Sequence, residues 1–285
     1  MPGFHVTLLA AILVAAPPSW TATQAPYRIH GNSWQVGSAG LSAILVTSDA
    51  GHVLIDVPLA ANVDRVEANV RALGFRVEDI RMILNTHAHF DHAGGIAALA
   101  RRSGAQVRSS VASARALRSG GDDPDDPQHG SADRYAPVAV ASTFVDGEVV
   151  RVGALELTAH LTPGHTPGST TWSWRSCERS HCLDIVYADS LTAMSDEGYL
   201  YSDPAHPERV ADFRRGLAVI AKLPCGILVT PHPEASGLDA RLARLAAGEA
   251  DALVEHDACR RYAEVAEKRL DVRIVAERAD HATPR

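Results

Sequence analysis

Residues 85–95 of the chain read NTHAHFDHAGG, and this stretch decides how the rest of the sequence is interpreted. His87, His89, Asp91 and His92 fall within six residues, after a short apolar run and before a segment with helical spacing. The spacing predicts a strand-to-helix loop, and loops on a rigid scaffold commonly present ligands. Imidazole nitrogens and carboxylate oxygens suit zinc. Since four such side chains exceed the three that a catalytic zinc usually takes, the cluster indicates two metal ions.

Two further histidines occupy comparable settings. His165 lies in LTPGHTPGST, where the flanking prolines and glycines predict a tight loop, and His232 lies in LVTPHPEAS, directly after an apolar run of strand length. Together with the first cluster they complete two sets of three ligands. Six other histidines lack such settings and are interpreted as surface or packing residues: His52, His129, His160, His181, His206 and His256.

The segments around these motifs alternate between strand and helix patterns. Residues 41–46 and 52–57 predict a hairpin, and apolar residues at helical spacing predict a helix from Val63 to Leu73. Residues 120–135 (GGDDPDDPQHGSADRY) predict a loop, since Gly, Asp and Pro dominate there. Further helices are predicted at 96–102, 111–118, 207–223 and over most of 238–270, and further strands at 82–84, 148–152, 155–160, 170–174, 184–187 and 227–229. The pattern suggests an α/β architecture of two packed sheets with helices outside.

Composition narrows the class of protein. The chain has 285 residues, of which 46% are hydrophobic and 21% charged, as in ordinary globular proteins and unlike disordered chains or coiled coils. The formal net charge of -7 disfavours a nucleic-acid partner, because such proteins rely on a basic surface. No linker or repeat divides the chain, so we expect a single domain over residues 26–285.

The first 25 residues predict a signal peptide for export. Residues 6–16 read VTLLAAILVAA, which is too short for a membrane span but has the length of a signal-peptide core. Cleavage after Ala25 would leave Thr23 and Ala25 at the two small positions, although the start lacks Lys and Arg. The alternative is a buried N-terminal strand or helix. Export predicts a periplasmic or secreted protein with no membrane segment in its mature form.

Cysteine usage agrees with an oxidising compartment. The four cysteines are an even number, and none forms a C-x-x-C pair of the kind found in zinc knuckles. Two disulfides are plausible in such a compartment, with three possible connectivities. Cys177 with Cys182 would close a short loop, and Cys225 with Cys259 would join a strand to a later helix. Four buried free thiols are the alternative.

The motifs NTHAHFDHAGG, TPGHTPGSTTW, VYADSLTA and TPHPEAS resemble the metal motifs of the metallo-β-lactamase superfamily, in order and spacing, over nearly the whole chain after the leader. More narrowly, the chain resembles subclass B3 metallo-β-lactamases. The other subclasses fit less well because they have a cysteine ligand where this chain has Ser190. The resemblance implies an αββα sandwich that hydrolyses β-lactams (penicillins, cephalosporins and carbapenems) and confers antibiotic resistance. One departure is Val57-Pro58 after Asp56, where related enzymes often carry glycine.

The resemblance also assigns residues. It implies a first zinc held by His87, His89 and His165, and a second held by Asp91, His92 and His232. It implies that both cysteine pairs named above are disulfides. It maps the substrate-carboxylate contacts onto Ser190 and Thr192, and Gln128 of the 120–135 loop is a further candidate contact. We expect the nucleophile to be a hydroxide bound to both zinc ions, oriented by Asp91, and the partner to be a small β-lactam. The oligomeric state stays open, with a monomer favoured.

Rival functions share the same histidine cluster. Thioesterases of the glyoxalase II type and lactonases use it, and in many of them an aspartate bridges both metals. Asp189 lies close to where that ligand would come. If Asp189 bridges, a thioesterase or lactonase is favoured; if it points away and Ser190 faces the cleft, a lactamase is. A nuclease is disfavoured by the net charge. A binding protein that has lost activity is the remaining class, although all six ligands are intact.

Overall fold

The computed structural model describes residues 16–282, and these form two sheets packed face to face with helices on both outer sides. The first sheet has seven strands in sequence order: β1 Tyr27–His30, β2 Ser33–Gln35, β3 Ile44–Val46, β4 His52–Ile55, β5 Ile80–Leu84, β6 Gln106–Ser110 and β7 Ser142–Phe144. The second has five: β8 Val149–Val152, β9 Leu155–Leu161, β10 Thr170–Glu178, β11 His181–Tyr187 and β12 Ile227–Val229. The predicted αββα sandwich is confirmed.

Helices cover the outer face of each sheet. They are α1 Val63–Ala72, α2 Phe90–Ala93, α3 Ile96–Ser103, α4 Val111–Arg118, α5 Glu208–Ile220, α6 Leu238–Ala246 and α7 Ala258–Ala282, with short 3₁₀ turns at Pro18–Trp20, Ala60–Asn62, Val77–Asp79 and Pro233–Ser236. The predicted helix over 238–270 is two helices. It breaks after α6, where Gly248 takes a left-handed φ of 96°, and α7 continues beyond residue 270. Among the described residues, no helix combines the length and apolar character needed to cross a bilayer.

Side-chain alternation along the strands explains the layering. In β3, Ile44 and Val46 face the second sheet, while Leu45 faces the helices of its own side. β12 repeats this pattern, since Ile227 lies in the layer between the sheets and Leu228 packs towards α5 and α7. Because successive strand residues point to opposite faces, strands covered on both sides read as continuous apolar runs. Three apolar layers result, one between the sheets and one beneath each set of helices.

Both cysteine pairs form disulfides in the structure. Cys177 and Cys182 lie opposite each other in the β10–β11 hairpin. Cys225, just before β12, is bonded to Cys259 in α7. Among the described residues no cysteine is free.

The N-terminal part of the described chain packs against this domain. The predicted leader spans 1–25, and its residues 1–15, which hold most of the apolar core of the signal sequence, lie outside the described residues. Residues 16–25 are described, and the 3₁₀ turn Pro18–Trp20 contacts the loop before β3 through backbone hydrogen bonds. The backbone N–H of Gly40 donates to the carbonyl of Ser19 at 2.9 Å.

Candidate metal centre

Four of the candidate ligands come from the segment after β5. The apolar strand Ile80–Leu84 is buried in the first sheet, and the chain leaves it as an extended loop that carries His87 and His89. The short helix α2 then starts at Phe90, so that Asp91 and His92 lie in its single turn. The helix is held from behind, because the backbone N–H of Val57 donates to the His92 carbonyl at 3.1 Å.

The residues around Val57 and Pro58 therefore support the metal centre directly. The backbone N–H of Gly95 donates to the carbonyls of Val57 at 3.0 Å and Pro58 at 2.7 Å. A Cβ atom at position 95 would lie 2.6 Å from Cγ1 of Val57, so the approach needs glycine. Asp56, with a left-handed φ of 64°, accepts hydrogen bonds from the Thr86 backbone and from the hydroxyls of Thr86 and Tyr187.

The remaining two candidate ligands come from loops at the ends of the second sheet. His165 lies between β9 and β10, and its loop is fixed to α4 because the hydroxyls of Ser110 and Ser113 donate to the Gly168 carbonyl at 2.9 and 3.0 Å. His232 follows β12 directly. The two sheet ends thus meet at one place, and all six predicted ligand side chains converge there.

His87, His89 and His165 form the first group. Their potential ligand atoms lie within 4.8 Å of one another, and their rings are in edge contact, with centroids 4.7–4.9 Å apart. All three side chains are buried. The Nε2 atom of His87 is buried and has no hydrogen-bond partner among the described residues. A buried polar atom without a partner is costly, so this arrangement fits a bound cation.

Hydrogen bonds at the second ring nitrogen orient these imidazoles. His87 donates from Nδ1 to Asp189 at 2.7 Å, which leaves Nε2 free. His89 donates from Nε2 to the carboxylate of Asp126 at 3.0 and 3.1 Å, which leaves Nδ1. His165 Nδ1 lies 2.9 Å from the carbonyl of Thr192, which leaves Nε2. Such partners select the tautomer and aim of histidine ligands in metal sites.

Asp91, His92 and His232 form the second group. The Nε2 atoms of His92 and His232 are 3.2 Å apart, and they lie 3.1 and 3.4 Å from Oδ2 of Asp91. Ligand atoms about 2.0–2.2 Å from a tetrahedral ion are separated by roughly 3.3–3.6 Å. The observed separations, 3.1, 3.2 and 3.4 Å, lie at or slightly below the lower end of that range. His232 is the more open member, with 24% of its side chain exposed, so the centre faces solvent on this side.

Protonation states favour cation binding. Burial lowers the pKa of His165 to about 3, and burial with the neighbouring His92 holds the pKa of His87 well below its usual range. Neutral imidazole is the form that binds metal. Burial alone would raise the pKa of Asp91, but the imidazoles of His92 and His232 outweigh it and keep that pKa well below its ordinary value. An ionised Asp91 and neutral His87 and His165 suit a divalent cation. At His89, in contrast, burial is outweighed by Asp126, which raises the pKa of His89, so a metal ion must displace a proton there.

The predicted substrate contacts lie around this centre. Ser190 is buried, with 6% of its surface exposed. The hydroxyl of Thr192 is 3.1 Å from Nδ1 of His165. The backbone N–H of Gln128 donates to Asp126 at 2.7 Å, and its side-chain Nε2 is buried with no partner among the described residues. Asp189, the possible bridging ligand, is fully buried beside His87 Nδ1.

Two residues near the centre were missed from the sequence. Asp126 contacts His89, but it is one of several aspartates in the 120–135 loop, and nothing in their order distinguishes it. Trp20 lies with its ring centroid 5.4 Å from that of His232, in the segment interpreted as a leader. The sequence does not reveal this contact, because a cleaved leader and a segment that packs on the domain are built from the same apolar and small residues.

The family model that matches this chain and two similar solved structures are all described as metallo-β-lactamases. A family model described as the metallo-β-lactamase superfamily matches residues 39–177. The structure of Rm3 metallo-β-lactamase superposes with a TM-score of 0.88 at 48% identity, covering 91% of this chain and 97% of that one. MEM-A1, a subclass B3 metallo-β-lactamase isolated from a soil metagenome library, gives a TM-score of 0.88 at 44% identity, covering 92% and 99%.

Curated relatives carry a different name. The hydroxyacylglutathione hydrolase of Jannaschia sp. (strain CCS1) is 30% identical over 189 residues, which are 66% of this chain and 59% of the relative. The chain spans less than two thirds of the length of the curated relatives that it matches first.

Proposed function

Because this chain belongs to the metallo-β-lactamase superfamily, with subclass B3 enzymes among its relatives of known structure, we propose that it is a β-lactam hydrolase that works with two zinc ions. Its substrates are small β-lactams of the penicillin, cephalosporin and carbapenem classes, and its activity confers resistance on the cell that exports it. The rival is a thioesterase or lactonase of the same superfamily, which the names of the curated relatives favour.

The two groups of ligands divide the metal ions between them. His87, His89 and His165 hold one ion, and Asp91, His92 and His232 hold the other. Zinc held there would lower the pKa of its bound water from 15.7 to about 7 and would act as a Lewis acid toward a carbonyl oxygen. Asp91 has a second role, since its carboxylate can accept a hydrogen bond from the attacking water and so orient it. We therefore assign Asp91 as the catalytic residue of the chain itself.

Three polar side chains bind the substrate in this proposal. The hydroxyls of Ser190 and Thr192 donate hydrogen bonds to the carboxylate of the β-lactam, and the amide of Gln128 contacts it from the 120–135 loop. The net charge of -7 gives no general attraction for an anionic drug, so these local donors carry the recognition.

The position of Asp189 is the observation on which we favour a β-lactam over a thioester as the substrate. Its Oδ1 atom lies 2.7 Å from His87 Nδ1, the ring nitrogen opposite the one available to metal. This hydrogen bond engages one oxygen on the far side of the His87 ring, while the other, Oδ2, is buried with no partner among the described residues. Ser190, the next residue, is buried, and in this proposal its hydroxyl takes the place beside the centre. This arrangement favours the lactamase interpretation over a bridging Asp189.

The two disulfides and the predicted leader support a location in the periplasm or the medium. Two disulfides persist in an oxidising environment such as the periplasm or the medium. We propose export followed by removal of an N-terminal leader, and a monomeric mature protein without a membrane segment.

Hydrolysis assays on zinc-loaded protein test this function. A carbapenem and a glutathione thioester are offered side by side, with and without a chelator, and metal content is measured in parallel. We expect chelator-sensitive opening of the lactam, little turnover of the thioester and two zinc ions per chain. Preferential thioester cleavage would replace the proposal with the rival function. A His87→Ala variant serves as the control for contaminating activity.

A further inference from the structure

The segment 17–25 is built into the domain by several independent contacts. The N–H of Gly40 donates to the carbonyl of Ser19 at 2.9 Å, and that of Ala39 donates to the carbonyl of Ala22 at 3.2 Å. From α1, the side-chain amide of Asn69 donates to the carbonyl of Gln24 at 3.2 Å. The segment is therefore anchored at its start, middle and end.

Trp20 is the best anchored residue of the segment. Its carbonyl accepts a hydrogen bond of 2.8 Å from Nδ2 of Asn62, whose side chain is completely buried. Its backbone is therefore held by a buried side chain of the domain.

The loop before β3 is shaped to receive this segment. A Cβ atom at Gly40 would lie 2.7 Å from Oγ and 3.0 Å from C and Cβ of Ser19. Real Cβ atoms almost never approach other atoms that closely, and Gly40 has no left-handed φ that would require glycine for another reason. The absence of a side chain at position 40 thus makes room for residue 19.

The indole of Trp20 reaches the metal centre. Its centroid lies 5.4 Å from the His232 ring at an interplanar angle of 38°, and 6.1 Å from Phe90 at 52°. Phe90 immediately precedes Asp91. His232 is the most exposed of the three second-group ligands, so its ring depends on neighbours of this kind for a fixed orientation.

We propose that residues 17–25 remain in the mature protein and that Trp20 is a positioning residue for His232. Export then requires cleavage at or before Pro17 and not after Ala25; a cut directly before Pro17 would have Ala16 as its last residue and Val14 two residues earlier. Cleavage after Ala25 would remove Trp20 and expose the second group of ligands on that side. The consequence for the metal rests on the proposed two-metal function; the packing does not.

Two purified forms test the proposal, one starting at Pro17 and one at Pro26. Affinity for each zinc ion is measured by competition with a chromophoric chelator, beside β-lactam turnover. We expect the shorter form to bind its second ion about 10-fold more weakly, the lower end of the effect of losing a hydrogen-bonded partner of a metal ligand, because Trp20 contacts His232 through its ring alone. Equal affinity of the two forms for the second ion would overturn the proposal.

Point variants separate positioning from folding. Trp20→Ala should weaken the second ion in the same range, and Trp20→Phe should restore much of the loss. Gly40→Ala should reproduce the defect, because it displaces Ser19 without touching the metal centre. Trp34→Ala is the matched control, a half-buried tryptophan that packs on Phe75 and Arg28. If Trp20→Ala binds the second ion as the unaltered protein does, the positioning role is wrong.

The natural processing site gives a second measurement. The full chain is expressed in a bacterium with a periplasm, and the mass of the exported product fixes its N-terminus. We expect an N-terminus at or before Pro17. A product starting at Pro26 with both zinc ions bound would refute the proposal. If the forms differ in zinc affinity but neither opens a β-lactam, the proposed function fails while this inference stands.

Discussion

Asp189 accepts a 2.7 Å hydrogen bond from Nδ1 of His87, and the two side chains are 0% and 1% exposed. The pair is sealed from solvent, and it fixes which nitrogen of His87 faces the centre. The same carboxylate would be a metal bridge in the rival thioesterase. The role of Asp189 in this pair therefore distinguishes the proposed β-lactamase from the rival thioesterase.

Substitution of Asp189 separates an orienting carboxylate from a bridging one. An asparagine oxygen can still accept the hydrogen bond of His87, so Asp189→Asn should bind zinc nearly normally. Asp189→Ala removes the acceptor and should weaken the first ion by about 10–100-fold. Zinc titration of both variants is the measurement. If Asn is as damaging as Ala and both ions are affected, Asp189 bridges the metals.

Asp126 should support the first ion through His89. Its carboxylate accepts from His89 Nε2, and burial, which opposes the charge, is outweighed by His89 so that the pKa of Asp126 is lowered. Asp126→Ala should weaken the first ion by about 10–100-fold and leave the second. The neighbouring Asp125, which is exposed and paired with Arg115, is the control. An unchanged first-ion affinity in Asp126→Ala would contradict this role.

Asp91→Asn should lower kcat more than it raises KM. The amide keeps the shape but is a poorer zinc ligand, and it loses the charge that orients the attacking water. His92→Ala and His232→Ala should resemble it, because they strip the same group, whereas His87→Ala should weaken the first ion. Steady-state kinetics with metal analysis checks this. Near-normal kcat with two zinc ions bound in Asp91→Asn would exclude the two-metal mechanism.

Ser190→Ala and Thr192→Ala should mainly raise KM. Each removes a hydrogen bond worth about 0.5–1.5 kcal/mol that ground and transition states share. The carbonyl of Thr192 still holds His165 in the alanine variant, since it lies 2.9 Å from Nδ1. Thr192→Ser keeps the hydroxyl and should recover the KM. A collapse of kcat with both ions bound would assign these residues to catalysis instead.

The two disulfides should differ in their contribution to stability. Cys225 and Cys259 are 34 residues apart, so replacing both by alanine should lower the free energy of unfolding by about 3–4 kcal/mol in the chain-entropy model. Cys177 and Cys182 are five apart in a paired hairpin, and their loss should cost less. Denaturant unfolding of both double variants gives the comparison. Equal losses would show that loop length does not govern the effect.

The parts predicted well from the sequence are those determined by local patterns. The helix Val111–Arg118 has the predicted bounds, and the hairpin of β3 and β4 forms where apolar runs flank Gly51. The convergence of His165 and His232 on the first cluster was predicted from their position after strands, together with the family resemblance. In each case the decisive residues are close in sequence or belong to a spaced motif.

The parts that were missed depend on contacts between distant segments. β6, with the polar sequence QVRSS, and the three-residue β7 have no strand pattern of their own and form by pairing with neighbours. Asp126 meets His89 across 37 positions, and Trp20 meets His232 across more than 200. The sequence alone does not identify which aspartate or tryptophan makes such a contact, because the tertiary fold determines which side chains lie next to His89 and His232.

The division of the ligands between the two sheets sets the order of events during biogenesis. His87, His89, Asp91 and His92 are synthesised early, but each group of ligands needs a member from the second half, His165 for one and His232 for the other. A chain that has not yet emerged past residue 232 can therefore complete only one of the two groups. Completion of both groups thus follows folding of both halves, and ions held in the two groups would cross-link the two sheets.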